Sequence, residues 1–108
     1  MAEPGAEPPS LSPTAEEDTV PYVLRLYVAG STARSGRTVA AARRILESRI
    51  PGRYTLAVVD IYQDPEAARV HQIVAVPTLI RLRPRPLRRL IGDLSDEARV
   101  FAALGLAP

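Results

Sequence analysis

Residues 22–61 read YVLRLYVAGSTARSGRTVAAARRILESRIPGRYTLAVVDI, and this stretch decides the fold. Tyr22–Ala29 is dense in β-branched and aromatic side chains and stops at Gly30, as a central strand does. Ser31–Gly36 reads as a polar loop. From Arg37 to Ile50 the period changes. Val39, Ala42, Ile45, Leu46 and Ile50 recur at helical spacing, while Arg43, Arg44, Glu47 and Arg49 face elsewhere. Pro51-Gly52 stops this helix, and Tyr54–Ile61 is a second strand. A strand, crossover helix and strand connect right-handedly and pair in parallel.

Working outward, Asp64-Pro65-Glu66 is a helix start, with Asp as N-cap, Pro at the first helical position and a carboxylate in the positive first turn. That helix is short and ends near residues 71–73. Thr78–Arg83 is a third strand and Arg88–Ile91 a fourth, joined by the stiff Pro84-Arg85-Pro86 and close enough for an antiparallel hairpin. Gly92-Asp93-Leu94 turns the chain, Ser95 is placed to cap, and Asp96 and Glu97 open a last helix that runs to about Leu104 before Gly105. The order β-α-β-α-β-β-α predicts an α/β domain, a small mixed sheet covered by helices on both faces. That is the thioredoxin architecture. Pro77, at the start of the third strand, costs no ladder bond there. In a thioredoxin-like fold this place takes a cis proline; the alternative is a trans proline opening a strand.

A redox thioredoxin needs two cysteines at the end of the first strand, where a helix N-terminus lowers the thiol pKa. Here that place reads Ala29-Gly30-Ser31-Thr32-Ala33-Arg34-Ser35, and the 108 residues contain no cysteine at all. Disulfides, thiol catalysis and thiolate metal sites are excluded together. His71 is the single histidine. No carboxylate cluster accompanies it, so no metal or cofactor is expected, and it reads as an exposed or partly packed helix residue. No serine sits in a nucleophile turn. No apolar run approaches the ~20 residues of a membrane span, and no secretory signal is recognisable; the expectation is a cytoplasmic protein with no membrane partner.

Charge is distributed unevenly. Residues 1–19 carry Glu3, Glu7, Glu16, Glu17 and Asp18, four prolines and no basic side chain, a formal −5. This segment lacks the apolar surface to offset its ordering entropy and is expected to be disordered. Residues 20–108 form the folded domain and hold 14 Arg against 7 acids, a formal +7 with no lysine. Arginine suits bidentate contacts to carboxylates and phosphates, although coding composition alone produces the same bias.

Tyr22–Gly30 (YVLRLYVAG), Val59-Asp60, Asp64-Pro65, Val76-Pro77-Thr78-Leu79 and above all Arg88–Ser95 (RRLIGDLS) resemble the KaiB family of clock proteins over roughly residues 20–104. The acidic tail is outside the family pattern. The resemblance implies a non-catalytic clock or stress-timing component that binds the N-terminal ATPase ring of KaiC, a hexameric ATPase and autokinase, and regulates its cycle. In cyanobacterial systems such a protein also sequesters KaiA and displaces a sensor-kinase domain. It further implies two folds for one sequence: a thioredoxin-like monomer that binds partners and a β-α-β-β-α-α-β tetramer, separated by only a few kcal/mol. The switch region expected here comprises Gly92, Asp93, Ala103 and Gly105. Ala103 stands where the family's glycine is expected, and alanine there favours the helix by ~1 kcal/mol. The thioredoxin-like state is therefore the expected ground state, with the other as a minor form.

The partner surface expected by this resemblance is the second strand, Tyr54, Thr55, Leu56, Ala57 and Val58, with the helix after Asp64 and with Arg37 and Arg81. Strand edges bind by main-chain pairing, which tolerates side-chain divergence. The family's lysines are missing, and Ala57 falls where one is expected, whereas Arg37 and Arg81 preserve charge. A divergent paralogue acting with a KaiC-like ATPase and without KaiA fits this pattern. Each arginine read alone is equally a solvated surface residue. The alternative function is nucleic-acid binding through Arg81, Arg83, Arg85, Arg88 and Arg89, but no recognition motif or aromatic platform accompanies them.

Overall fold

A computed structural model describes residues 21–106. The acidic tail expected to be disordered, residues 1–19, lies outside the described residues. Seven elements follow: β1 (Tyr22–Val28), α1 (Ala33–Arg49), β2 (Tyr54–Asp60), α2 (Pro65–Val70), β3 (Thr78–Arg83), β4 (Arg88–Ile91) and α3 (Glu97–Leu104). The sheet order is β2-β1-β3-β4. β1 pairs with β2 in parallel, and with β3 antiparallel, while β3 and β4 form an antiparallel hairpin. This is the thioredoxin-like mixed sheet.

Strand alternation sorts the layers. Tyr22, Leu24, Leu26 and Val28 face one side, where they join Ala42, Ile45, Leu46 and Ile50 from α1 and Val100 and Leu104 from α3 in a single core cluster. The opposite face carries Tyr27 and Ile80, both fully buried, with only the six-residue α2 alongside. One face is thus thickly covered and the other thinly.

Two local expectations need correction. α1 begins at Ala33, inside the stretch read as a loop, because the Thr32 hydroxyl accepts from Ser35 N at 3.0 Å and caps the helix. Gly36 then sits within the first turns, its N–H 2.9 Å from Thr32 O. At α3 the cap is Asp96, whose carboxylate accepts from Arg99 N, and not Ser95. Ser95 is taken by Asp93, which accepts from its N–H at 3.0 Å and from its hydroxyl at 2.7 Å.

The C-terminal end of α3 is a Schellman cap. Leu106 N donates to Phe101 O and Gly105 N to Ala102 O, with Gly105 in the left-handed region at φ 65°. A Cβ at Gly105 would lie 3.1 Å from Arg81 Nη1 and 3.2 Å from Arg88 Nε, so glycine is required for space as well as conformation.

Candidate functional site

Three places deserve weighing as sites. The first is the junction where a redox thioredoxin keeps its thiols. The end of β1, the start of α1 and the Val76–Pro77 bond, which is cis, enclose a cleft of about 540 Å³ lined by Thr32, Arg34, Ser35, Thr38 and Asp93 among others. Its hydroxyls are engaged locally. Thr32 Oγ1 donates to Ser35 Oγ at 3.2 Å, and Ser35 Oγ donates to Ala29 O at 3.3 Å. No base is hydrogen-bonded to either one, so nothing there activates a nucleophile. Asp93 has its carboxyl pKa lowered, first by the Ser95 N–H and then by the Ser95 hydroxyl. Among the described residues, no three His, Asp or Glu side chains gather as a metal would require, and no helix is long and apolar enough to cross a membrane.

The second place is the thinly covered sheet face. Tyr27 Oη lies 3.1 Å from His71 Nδ1, and Arg25 donates to the same oxygen at 3.4 Å. The imidazole's pKa is pushed down, chiefly by its partial burial and further by Arg25 and Arg89. The folded-state value therefore lies below the unfolded one of about 6.5. Between the two the unfolded chain binds more protons, so the His71 contribution is complete above pH ~6.5 and is lost as pH falls through the folded value. The urea midpoint is expected to drop between pH 7.5 and 5 more steeply in the native chain than in His71→Gln. Equal slopes would contradict the assignment.

The third place is the β2 edge, which among the described residues has no strand on its outer side. Ile61 N donates to Val28 O and Tyr22 N to Arg53 O. Residues of that parity, Thr55, Ala57 and Val59, therefore turn their backbone groups to β1. Tyr54, Leu56 and Val58 present theirs outward. Asp60 fixes the end of the strand, with Oδ1 accepting from Gly30 N and Tyr62 N, both at 2.9 Å. Tyr54 is steadied by its hydroxyl, which donates to Glu47 at 2.9 Å; that bond and its partial burial raise its pKa. Large apolar side chains stand exposed close by: Val58 at 41% and Tyr62 at 74%. Sequence reading did not single out Tyr62 or Val70. Tyr62 follows β2 directly, beside Gly30, whereas Val70 belongs to α2 on the thinly covered face, next to His71 and its Tyr27 contact.

Of the residues expected at the partner surface, Thr55, Ala57 and Val58 are exposed and Tyr54 and Leu56 half-buried. Arg37 is exposed on α1, next to Gly36, which lines a groove shared with Val58 and Asp60. Arg81 does not belong with them in this fold. It is 5% exposed, and its guanidinium donates to Leu104 O and Pro86 O at 2.9 Å and to Gly105 O at 3.4 Å. Its charge completes the carbonyl end of α3, and burial, with Arg88 beside it, lowers its pKa. Of the residues expected in a switch region, Gly92 lies in the β4–α3 turn with its N–H on Pro77 O, Asp93 is exposed, Ala103 packs against the core and Gly105 is the α3 cap.

Comparison with known proteins agrees with this geometry. A family model described as the KaiB domain matches residues 25–106. The "Circadian clock oscillator protein KaiB" of Synechococcus sp. (strain CC9311) is 47% identical over 85 residues, 79% of this chain and 71% of that one. The protein of the same name from Parasynechococcus marenigrum (strain WH8102) is also 47% identical, covering 79% of this chain and 82% of the relative. Among solved structures, the N-terminal domain of Synechococcus elongatus SasA superposes with a TM-score of 0.66 at 21% identity, over 89% of this chain and 86% of that one. Chloroplastic thioredoxin z gives 0.61 at 17% identity, over 88% of both. These last two likenesses speak to the fold.

Proposed function

The chain belongs to the KaiB family of circadian clock proteins, and from that premise we propose that it is a non-catalytic timing protein that binds the N-terminal ATPase ring of a KaiC-type hexamer through the open edge of β2. The observation that carries this reading is the edge itself: outward backbone groups at Tyr54, Leu56 and Val58 with Val58 and Tyr62 exposed beside them. Binding by strand addition needs main-chain groups and alternate side-chain pockets, and not the lysines this chain lacks. Arg37 supplies the positive charge at the rim. Size-exclusion chromatography of the full chain with a KaiC-type ATPase, in ATP and in ADP, tests it. No co-eluting complex in either nucleotide would end the proposal.

The reading includes a fold switch that sets how much binding-competent monomer is present, with a tetramer as the stored form. Ala103→Gly is expected to weaken α3 by about 1 kcal/mol and so raise the alternative population about fivefold. Backbone NMR shifts of residues 95–106 report it, and unchanged populations would remove Ala103 from the switch. KaiA or a sensor kinase remains a further partner in this proposal. The nucleic-acid alternative loses support, because Arg81 is withdrawn from the hairpin cluster on which it drew.

A further inference from the structure

The acids of the domain are sorted along the strands, whereas arginines stand at both ends, Arg34, Arg69 and Arg99 being placed among the acids. At the end where β1 starts stand Arg53, whose carbonyl accepts from Tyr22 N, Arg83, which pairs with Val23, and Arg85 in the β3–β4 turn. Among the described residues the one carboxylate placed toward this end is Glu47, already bonded to Tyr54. The other six acids lie where β1 finishes: Asp60 opposite Val28, Asp64 and Glu66 just after it, and Asp93, Asp96 and Glu97 beyond β4. The tail joins the domain at the arginine end, because β1 begins at Tyr22. Glu16-Glu17-Asp18 are only three to five residues before Pro21. Five residues reach up to ~17 Å, whereas neighbouring strands are ~4.8 Å apart, so the three carboxylates can reach both Arg53 on one side of β1 and Arg83 on the other. A cleft of about 790 Å³ lined by Leu82, Arg83, Arg85, Pro86 and Leu87 opens beside them.

We propose that Glu16-Glu17-Asp18 of the tail docks on the arginine rim of its own domain, formed by Arg53, Arg83 and Arg85. The occupant follows from charge complementarity and from the tether. A segment of −5 is attached beside the positive end of a +7 domain, and a short tether holds it there at millimolar effective concentration. The docked tail covers the basic rim against polyanions. The inference does not depend on the binding reading above.

The absence of cysteine makes the test direct. A nitroxide on Ser12→Cys in the full chain is expected to broaden the amides of Arg53, Arg83, Arg85 and Leu87. The broadening should be at least about twofold stronger in 10 mM salt than in 1 M, since the screening length falls from about 30 to 3 Å. The same label on a chain also carrying Glu16→Gln, Glu17→Gln and Asp18→Asn keeps the tether and loses the charge, and it is expected to show the weaker pattern at both salts. Broadening that is insensitive to salt and to these substitutions overturns the proposal. So does broadening confined to mixtures of labelled and separately ¹⁵N-enriched chains, which would assign the contact to a second copy.

Discussion

Arg81→Met is expected to lower the free energy of unfolding by roughly 2–4 kcal/mol and to loosen the C-terminal end of α3 before the rest of the domain. The side chain serves three carbonyls, those of Pro86, Leu104 and Gly105. Hydrogen bonds from a charged donor are worth ~1.5–3 kcal/mol each, and buried carbonyls left without donors add their own cost. Removing the buried charge offsets part of this, because a guanidinium shielded from water is itself costly, and its Nε is buried without a partner among the described residues. Methionine keeps the apolar stem, so the loss reports the bonds more than the packing. Chemical denaturation gives the global figure. Hydrogen exchange at Gly105 and Leu106 gives the local one, since these amides hold the Schellman cap. An unchanged midpoint with unchanged exchange would show that the carbonyls find other donors.

Val58→Pro is expected to weaken binding to a KaiC-type ring about tenfold while the domain stays folded. Proline removes one N–H. At position 58 that group points away from β1, so the parallel ladder of β1 and β2 is kept, and edge strands are where proline is tolerated. One main-chain hydrogen bond contributes up to ~1.5 kcal/mol net, and 1.4 kcal/mol corresponds to tenfold in affinity. Val58→Thr, which keeps the N–H and the branched shape, is expected to bind within about threefold of the native chain, since little beyond a half-exposed methyl changes. Two variants of equal affinity would mean that the ring does not use this edge. If both circular dichroism and binding collapse for proline, the ladder has been broken, and Leu56→Pro, of the same parity, separates that outcome from true loss of contact.

Most of the architecture was legible because it is local. Period 2 in Tyr22–Val28 and Thr78–Arg83, period 3.6 from Val39 to Ile50, and the Asp64-Pro65 start each announce themselves within a window of a few residues. Misreadings came where a local signal had two meanings. Gly36 reads as a loop residue until Thr32 is seen to cap four residues earlier, and Ser95 reads as a cap until Asp93 claims it. Arg81 was the instructive failure. Its surface role was what the resemblance implied, yet its parity with Leu79 places it on the core side of β3, where arginine is seldom found. The acceptors that explain it, Leu104 and Gly105, are 23 and 24 positions away. At the β2 edge the strand was legible, but its outer position follows from β3 taking the other side of β1, a pairing over some fifty residues.

The gathering of six of the domain's seven acids at one end has a consequence for how the molecule moves before it touches anything. A body charged in this way carries a permanent dipole along its strands, and the field of a charged partner exerts a torque on it at separations near a screening length. The domain then arrives already turned, and fewer encounters are wasted on wrong orientations. A docked tail places negative charge on the positive pole and shortens that dipole. The N-terminal segment would in this way govern the angle of approach.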